Sequence, residues 1–264
     1  MHQEKISSQN QKSWSQSAYQ SWVNRHGFPN EYAQTLKKDP VTDVSHYLPY
    51  MGDVKGKKIA NLLGSKGNKA VSLALLGADM TVVDISHDNQ KYALELANAA
   101  GVKIKYIVSD VLKIQEEEKL ADFDYILLEL GVLHYFVDLE PLFALIFNAL
   151  KPGGVFILRD YHPYASKVVD MGENGNYFDE TVIEGDVAYS SLLSERERSS
   201  LEKVLVRRWT LREIVTSVVQ VGLEIKKLEE EKGVRWAFSD GAPAGIENRV
   251  PGLFTMITSK PLKE

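Results

Sequence analysis

The stretch 58–86, KIANLLGSKGNKAVSLALLGADMTVVDIS, constrains the fold more than any other, because strand, turn, helix and strand follow one another without a spare residue. Ile59, Ala60, Leu62 and Leu63 make a short apolar run that breaks at Gly64. Ala70, Val71, Leu73, Ala74 and Leu75 then recur at helical spacing up to the stop at Gly77. A second apolar run ends in Asp84. This is one βαβ unit, the building block of a parallel sheet. Gly64 and Gly67 are expected to let a ligand approach the turn, and Asp84, about 20 residues further on, can accept both hydroxyls of a ribose. An adenosine ligand with a free ribose diol is the first inference. The structural alternative is a tight turn without a ligand, with Asp84 capping the helix that begins near His87.

The alternation continues. Residues 103–108 read as a third strand followed by Ser109, Asp110 and Val111, and 122–129 as a fourth followed by Leu130-Gly131-Val132-Leu133-His134. A helix over 138–150, the turn Lys151-Pro152-Gly153-Gly154 and a fifth strand, VFILRD, come next. Over roughly 56–160 this pattern resembles the class I S-adenosylmethionine-dependent methyltransferases. The family's glycine-rich first motif falls on 61–67, its ribose-binding acid on Asp84, its adenine-contacting acid on Asp110, its fourth motif on 124–134 and its pre-strand turn on KPGG.

The resemblance implies an α/β fold: a seven-stranded, mostly parallel Rossmann-like sheet with helices on both faces and the last strand antiparallel. It implies S-adenosyl-L-methionine as cofactor, held by Trp14, Tyr19, Asn61, Leu63, Gly64, Ser65, Gly67, Asp84, Ile85, Asp110, Val111, Glu129 and Leu130. One departure matters. Where the family's motif starts with an acid and carries three alternating glycines, this chain has Asn61, Leu63, Ser65 and Gly67, with an extra glycine at Gly64. Asn61 can accept a hydrogen bond but brings no charge, so Glu129 is expected to attract the methionine ammonium. Alternatively, Asn61 ties the strand end to a neighbouring loop.

Composition narrows the partners. A chain of 264 residues, 44% hydrophobic and 25% charged, can bury a sizeable core. A net charge of −5 argues against a broad nucleic-acid or anionic-membrane surface. With no cysteine, disulfides, thiolate nucleophiles and thiolate metal sites are excluded, and with them cysteine-dependent methylation chemistry. The polar start, MHQEKISSQNQKSWSQ, lacks the apolar core of a signal peptide, and no apolar run approaches a membrane span, which implies a cytoplasmic protein. A small-molecule substrate, without nucleic acid or membrane, is the expectation.

Three segments outside the nucleotide-binding core are expected to handle substrate. Residues 1–55 read as an N-terminal helical lid, with Trp14, Ala18 and Trp22 repeating every four residues on one face and a hinge at 52–56. The core then spans 56–264, with inserted cap segments near 165–208, carrying Tyr177, and near 231–252, carrying Trp236 and Phe238. Tyr161, Tyr177 and Trp236 are the candidate substrate contacts.

The chemistry needs an aligned nucleophile, exclusion of water and, where required, a base. Glu129, His134 and His162 are the candidate bases, His134 having the ordinary pKa best suited to neutrality. No metal is expected, since Asp160 and His162 lack a third ligand. Two alternatives share the βαβ unit. One is a nicotinamide-dependent oxidoreductase, for which Tyr164 and Lys167 resemble the catalytic Tyr/Lys pair of short-chain dehydrogenases at a spacing one residue too short. The other is a non-catalytic S-adenosylmethionine sensor.

Overall fold

A computed structural model describes residues 2–114 and 118–262. The chain opens with α1 (Gln3–Trp14), α2 (Ala18–His26), α3 (Pro29–Lys38) and the short α4 (Leu48–Met51). The four-residue repeat of Trp14, Ala18 and Trp22 does not share one helix face as its spacing predicts. Ser17 takes a left-handed backbone (φ 59°) and breaks the helix between Trp14 and Ala18, so the two tryptophans stand on different helices. Pro29 starts α3, where its missing N–H costs nothing, and Glu31 accepts the Phe28 N–H at 2.8 Å.

Two α/β halves follow. The first is β1 (Lys58–Leu62), α5 (Asn68–Leu75), β2 (Asp79–Asp84), α6 (His87–Ala100) and β3 (Lys105–Val108). The second is β4 (Phe123–Glu129), α7 (Glu140–Ala149) and β5 (Leu150–Tyr161). The KPGG segment lies within the span of β5, where its pairing with β4 slips: Phe123 faces Leu150, but Tyr125 faces Val155. Next come β6 (Val182–Gly185), α8 (Glu195–Ser199), β7 (Val204–Arg207), α9 (Leu211–Gln220), β8 (Glu224–Glu231) and β9 (Leu253–Ser259).

The main sheet has seven strands in the order β3-β2-β1-β4-β5-β9-β8, and β9 runs antiparallel to both neighbours. The fold class expected from the sequence is therefore present. Sequence order reverses between β1 and β4, which leaves a crevice above the carboxyl ends of those strands, the position at which open α/β sheets take ligands.

Over that crevice lies a roof made of distant segments. The cap expected near 165–208 contains β6 and β7, paired antiparallel in a small sheet of their own. Asn10 of α1 binds both backbone groups of Leu205 in β7, donating to the carbonyl at 3.0 Å and accepting the N–H at 2.7 Å. Trp22, Tyr32 and Leu36 from the N-terminal helices share one apolar core with Tyr92 and Leu96 of α6 and with Tyr189 and Val204 of the cap. No helix among the described residues is long and apolar enough to cross a membrane.

Candidate active site

The turn from β1 to α5 forms the floor of the site. Leu63 and Ser65 both adopt left-handed backbone (φ 48° each), a conformation that costs a non-glycine residue about 1–2 kcal/mol. At these two positions, where the sequence resemblance places glycine, the chain adopts a glycine-favouring backbone with other residues. Gly64 lines the cavity as expected, Gly67 does not, and both positions are also too tightly packed for a side chain. A Cβ on Gly64 would lie 2.8 Å from Val82 and 2.9 Å from Asn61 Oδ1, and one on Gly67 would lie 2.7 Å from the Ala93 side chain. Asn61 sits fully buried beneath this turn, with neither amide atom bonded to the protein, and it does not line the cavity.

Between floor and roof opens a cavity of about 940 Å³. On one side Asp84 closes β2, buried, its carboxylate accepting N–H bonds from Ser65 (2.9 Å), Ser86 (3.0 Å) and the Asn89 side chain (3.0 Å). Burial pushes its pKa up, and these hydrogen bonds oppose the shift. Ile85, Asp110 and Val111 line the same side, and Asp110 is steadied by the Leu112 N–H at 3.1 Å.

At the other side stands Glu129, the end of β4. It accepts from the Tyr47 hydroxyl and lies 3.8 Å from the Lys69 ammonium. Leu130 follows in a left-handed conformation (φ 50°) and donates its N–H to the Arg159 carbonyl at 2.8 Å. The next loop is pinned by Asp160, whose carboxylate accepts the N–H groups of Gly131 (2.5 Å), Leu133 (3.3 Å) and Tyr161 (2.7 Å).

Trp14, Trp22, His134, Tyr161 and Trp236 complete the walls. Trp14 and Trp22 meet edge-on at Tyr189, with ring centres 5.3 and 6.0 Å away, and Tyr161 meets Trp236 at 6.4 Å. Burial, aided by the positive charge of Arg208, lowers the His134 pKa to about 4. The near-neutral base that the sequence suggested is therefore a weak one, held in its uncharged form.

Besides Asn61 and Gly67, three predicted residues are not brought to the cavity. Tyr19 donates to Glu95 on α6 at 2.5 Å. His162 is buried against Phe254, with Nε2 3.0 Å from Glu230 and Nδ1 accepting the Tyr164 N–H at 3.1 Å. The Tyr177 hydroxyl accepts the Leu211 N–H at 3.0 Å, which makes it a cap for α9. Lys167 is likewise committed, donating to the Arg208 and Asp179 carbonyls, so it forms no dehydrogenase-like pair. Conversely, Arg25, Tyr32, Asp43, Lys66 and Lys69 line the cavity and escaped the sequence reading. Of these, Lys66 was accessible to it, lying inside the first motif; Arg25, Tyr32 and Asp43 arrive through tertiary packing.

A family model described as a methyltransferase domain matches residues 63–158, the span from the floor turn to the end of the central strands. Over that span the chain carries a methyltransferase domain, and its sheet has the fold of the class I methyltransferases. The methyltransferase is similar in fold to an S-adenosylmethionine-dependent methyltransferase from Mesorhizobium loti, at 22% identity and a TM-score of 0.56, covering 80% of this chain and 95% of that one. It is also similar to one from Clostridium acetobutylicum, at 15% identity and a TM-score of 0.57, covering 88% and 98%. The magnesium protoporphyrin IX methyltransferase of Synechocystis with bound SAH matches at 12% identity and a TM-score of 0.61, covering 97% and 99%.

Two of these neighbours are named for their dependence on S-adenosylmethionine. The donor set suits it: Asp84 at the end of β2 and Asp110 just beyond β3 sit beside apolar Ile85 and Val111 on one side, and Glu129 stands on the other.

Proposed function

We propose that this methyltransferase acts on a small molecule, which enters the cavity beside Tyr161 and Trp236. The observation that carries this reading is the enclosure of a cavity of about 940 Å³, whose walls come from the N-terminal helices, the 165–208 cap and the 231–252 loop as well as the floor. Such a pocket suits a compact acceptor. A net charge of −5 also speaks against a nucleic-acid acceptor.

The bound cofactor supplies an electrophilic methyl group. In this reading Asp84 holds the ribose, Ile85 and Val111 flank the adenine beside Asp110, and Glu129 draws the amino-acid ammonium. Tyr161 and Trp236 orient the acceptor, and the aromatic roof excludes water. Glu129 and neutral His134 are the groups that can receive a proton; His162, committed to Glu230, takes no part. We assign residues 1–55 as a lid over the 56–264 core, and a cytoplasmic location.

Incubating the protein with S-adenosylmethionine and a metabolite library, with mass detection, tests the substrate class. A metabolite that gains one methylene in mass supports it; methyl transfer to protein or RNA alone would overturn it. The lid is tested by limited proteolysis. Cleavage before Val23 should be slowed by saturating S-adenosylmethionine, and equal rates with and without it would mean that the helices are a fixed roof.

A further inference from the structure

Lys66 reaches into the cavity from the floor turn and stands 4.5 Å from the centre of the Trp22 ring. That ring is locked. Its N–H donates to Asn89 Oδ1 at 2.8 Å, and the Asn89 amide donates in turn to Asp84 at 3.0 Å. The roof thus fixes a seat for the ammonium group, yet Lys66 makes no hydrogen bond or ion pair with a described residue.

Glu129 and Asp43 attract it only from a distance, and neither forms a hydrogen bond or ion pair with it. Asp43 already accepts from the Tyr32 hydroxyl at 2.8 Å and the Asn68 amide at 2.5 Å. Glu129 is taken by Tyr47 and Lys69. Arg25 lines the same cavity, also without a hydrogen bond or ion pair to a described residue, and its charge acts on Lys66. His26 stays neutral there, its pKa lowered to about 4 by burial first and by Lys66 second. Burial, followed by repulsion from Lys69, lowers the Lys66 pKa to about 7. Contact with an indole face attracts an ammonium but does not neutralise it, and a half-buried cation without an anion is costly.

We propose that Lys66 and Arg25, joined by Lys69, form an oxyanion subsite that takes a carboxylate of a bound ligand, with Trp22 as the residue that positions Lys66. The same chemistry could be brought by the amino-acid end of the cofactor or by an acidic acceptor. The subsite goes beyond the small-molecule reading and stands whether or not that reading holds.

Calorimetric titration of the full chain with S-adenosylhomocysteine and with the analogue lacking only its carboxylate separates the sources. Lys66→Met should weaken S-adenosylhomocysteine about 10- to 100-fold and leave the decarboxylated analogue unchanged, with Lys66→Arg restoring most of the loss. That pattern assigns the carboxylate to the cofactor. If Lys66→Met changes neither nucleoside, benzoate is titrated into the S-adenosylhomocysteine complex. Binding to the natural chain that is lost in Lys66→Met assigns the carboxylate to the acceptor. Two results would overturn the subsite: equal weakening of both nucleosides, which reports a disturbed turn, or no effect of Lys66→Met on either nucleoside or on benzoate. Circular dichroism of each variant checks that the fold is retained.

Discussion

The floor and the roof of the cavity enclose the same space but are built in different ways. The floor comes from strand ends and one turn of β1–α5–β2, all within 58–86, and it is held mainly by backbone geometry: left-handed Leu63 and Ser65 and the N–H bonds into Asp84. The roof joins segments far apart in the chain through side-chain bonds to backbone, such as Asn10 on Leu205 and Asn24 on the Leu192 carbonyl at 2.9 Å. A local, backbone-defined floor can tolerate Leu63 and Ser65 in place of glycine, because the path is set by neighbouring strands. A roof assembled from single side chains has no such redundancy.

Trp22 spans the two, so its loss should have the largest effect. Trp22→Ala removes a buried ring and leaves Asn89 Oδ1 without its donor, and should destabilise the protein by about 3–5 kcal/mol in chemical unfolding. A loss under about 1 kcal/mol would mean that the roof is not coupled to the floor.

Asp84→Asn probes the hold of the floor on the ligand. It should weaken S-adenosylhomocysteine binding by about 1.5–3 kcal/mol in calorimetry while the chain remains folded. An unchanged dissociation constant would leave Asp84 as a turn anchor only, serving Ser65, Ser86 and Asn89.

Acidification distinguishes the two walls that carry histidine. His134 and His26, both lowered to about 4 from an ordinary value near 6.5, take up protons in the unfolded chain before they do so in the folded one. Stability should therefore be complete above pH 6.5 and decline as pH falls toward 4, by roughly 1 kcal/mol per histidine at pH 5 after allowance for solvent screening. Unfolding midpoints of His134→Asn and His26→Asn across that range measure each share. A profile as steep as that of the natural chain in either variant removes that histidine from the account.

The smallest effect belongs to Ser65→Gly. Relief of a left-handed serine, partly offset by the greater freedom of glycine in the unfolded chain, should stabilise the protein by about 0.5–1 kcal/mol. A destabilised variant would show that the Ser65 hydroxyl, buried without a partner, contributes more than its backbone costs.

How legible each region was follows from the same difference. Apolar periodicity located β1, α5 and β2, because their contacts repeat at short, regular spacing. Asp84 and Glu129 were placed at the cavity because each ends a parallel strand, and Asp110, two residues beyond β3, by the family resemblance. Trp14 and Trp22 both line the cavity, but the single helix face expected for them is broken. The left-handed Ser17 that separates them carries no strong sequence signal, since serine favours no such conformation. Tyr177 and His162 were drawn toward the site by residue type, whereas their actual partners, the Leu211 N–H and Glu230, are set by tertiary packing. The lowered pKa of His134 is likewise a property of its burial and not of the motif GVLHY.

The bonds from α1 to β7 carry one more implication. Leu205 and Lys203 direct their backbone groups away from β6, and these groups are taken up by Asn10, Ser13 (2.8 Å) and Gln9 (2.9 Å). The outer edge of a two-stranded sheet is thus occupied by a helix whose side chains imitate a neighbouring strand. Free strand edges recruit other chains, and here the first helix acts as a guard against self-association.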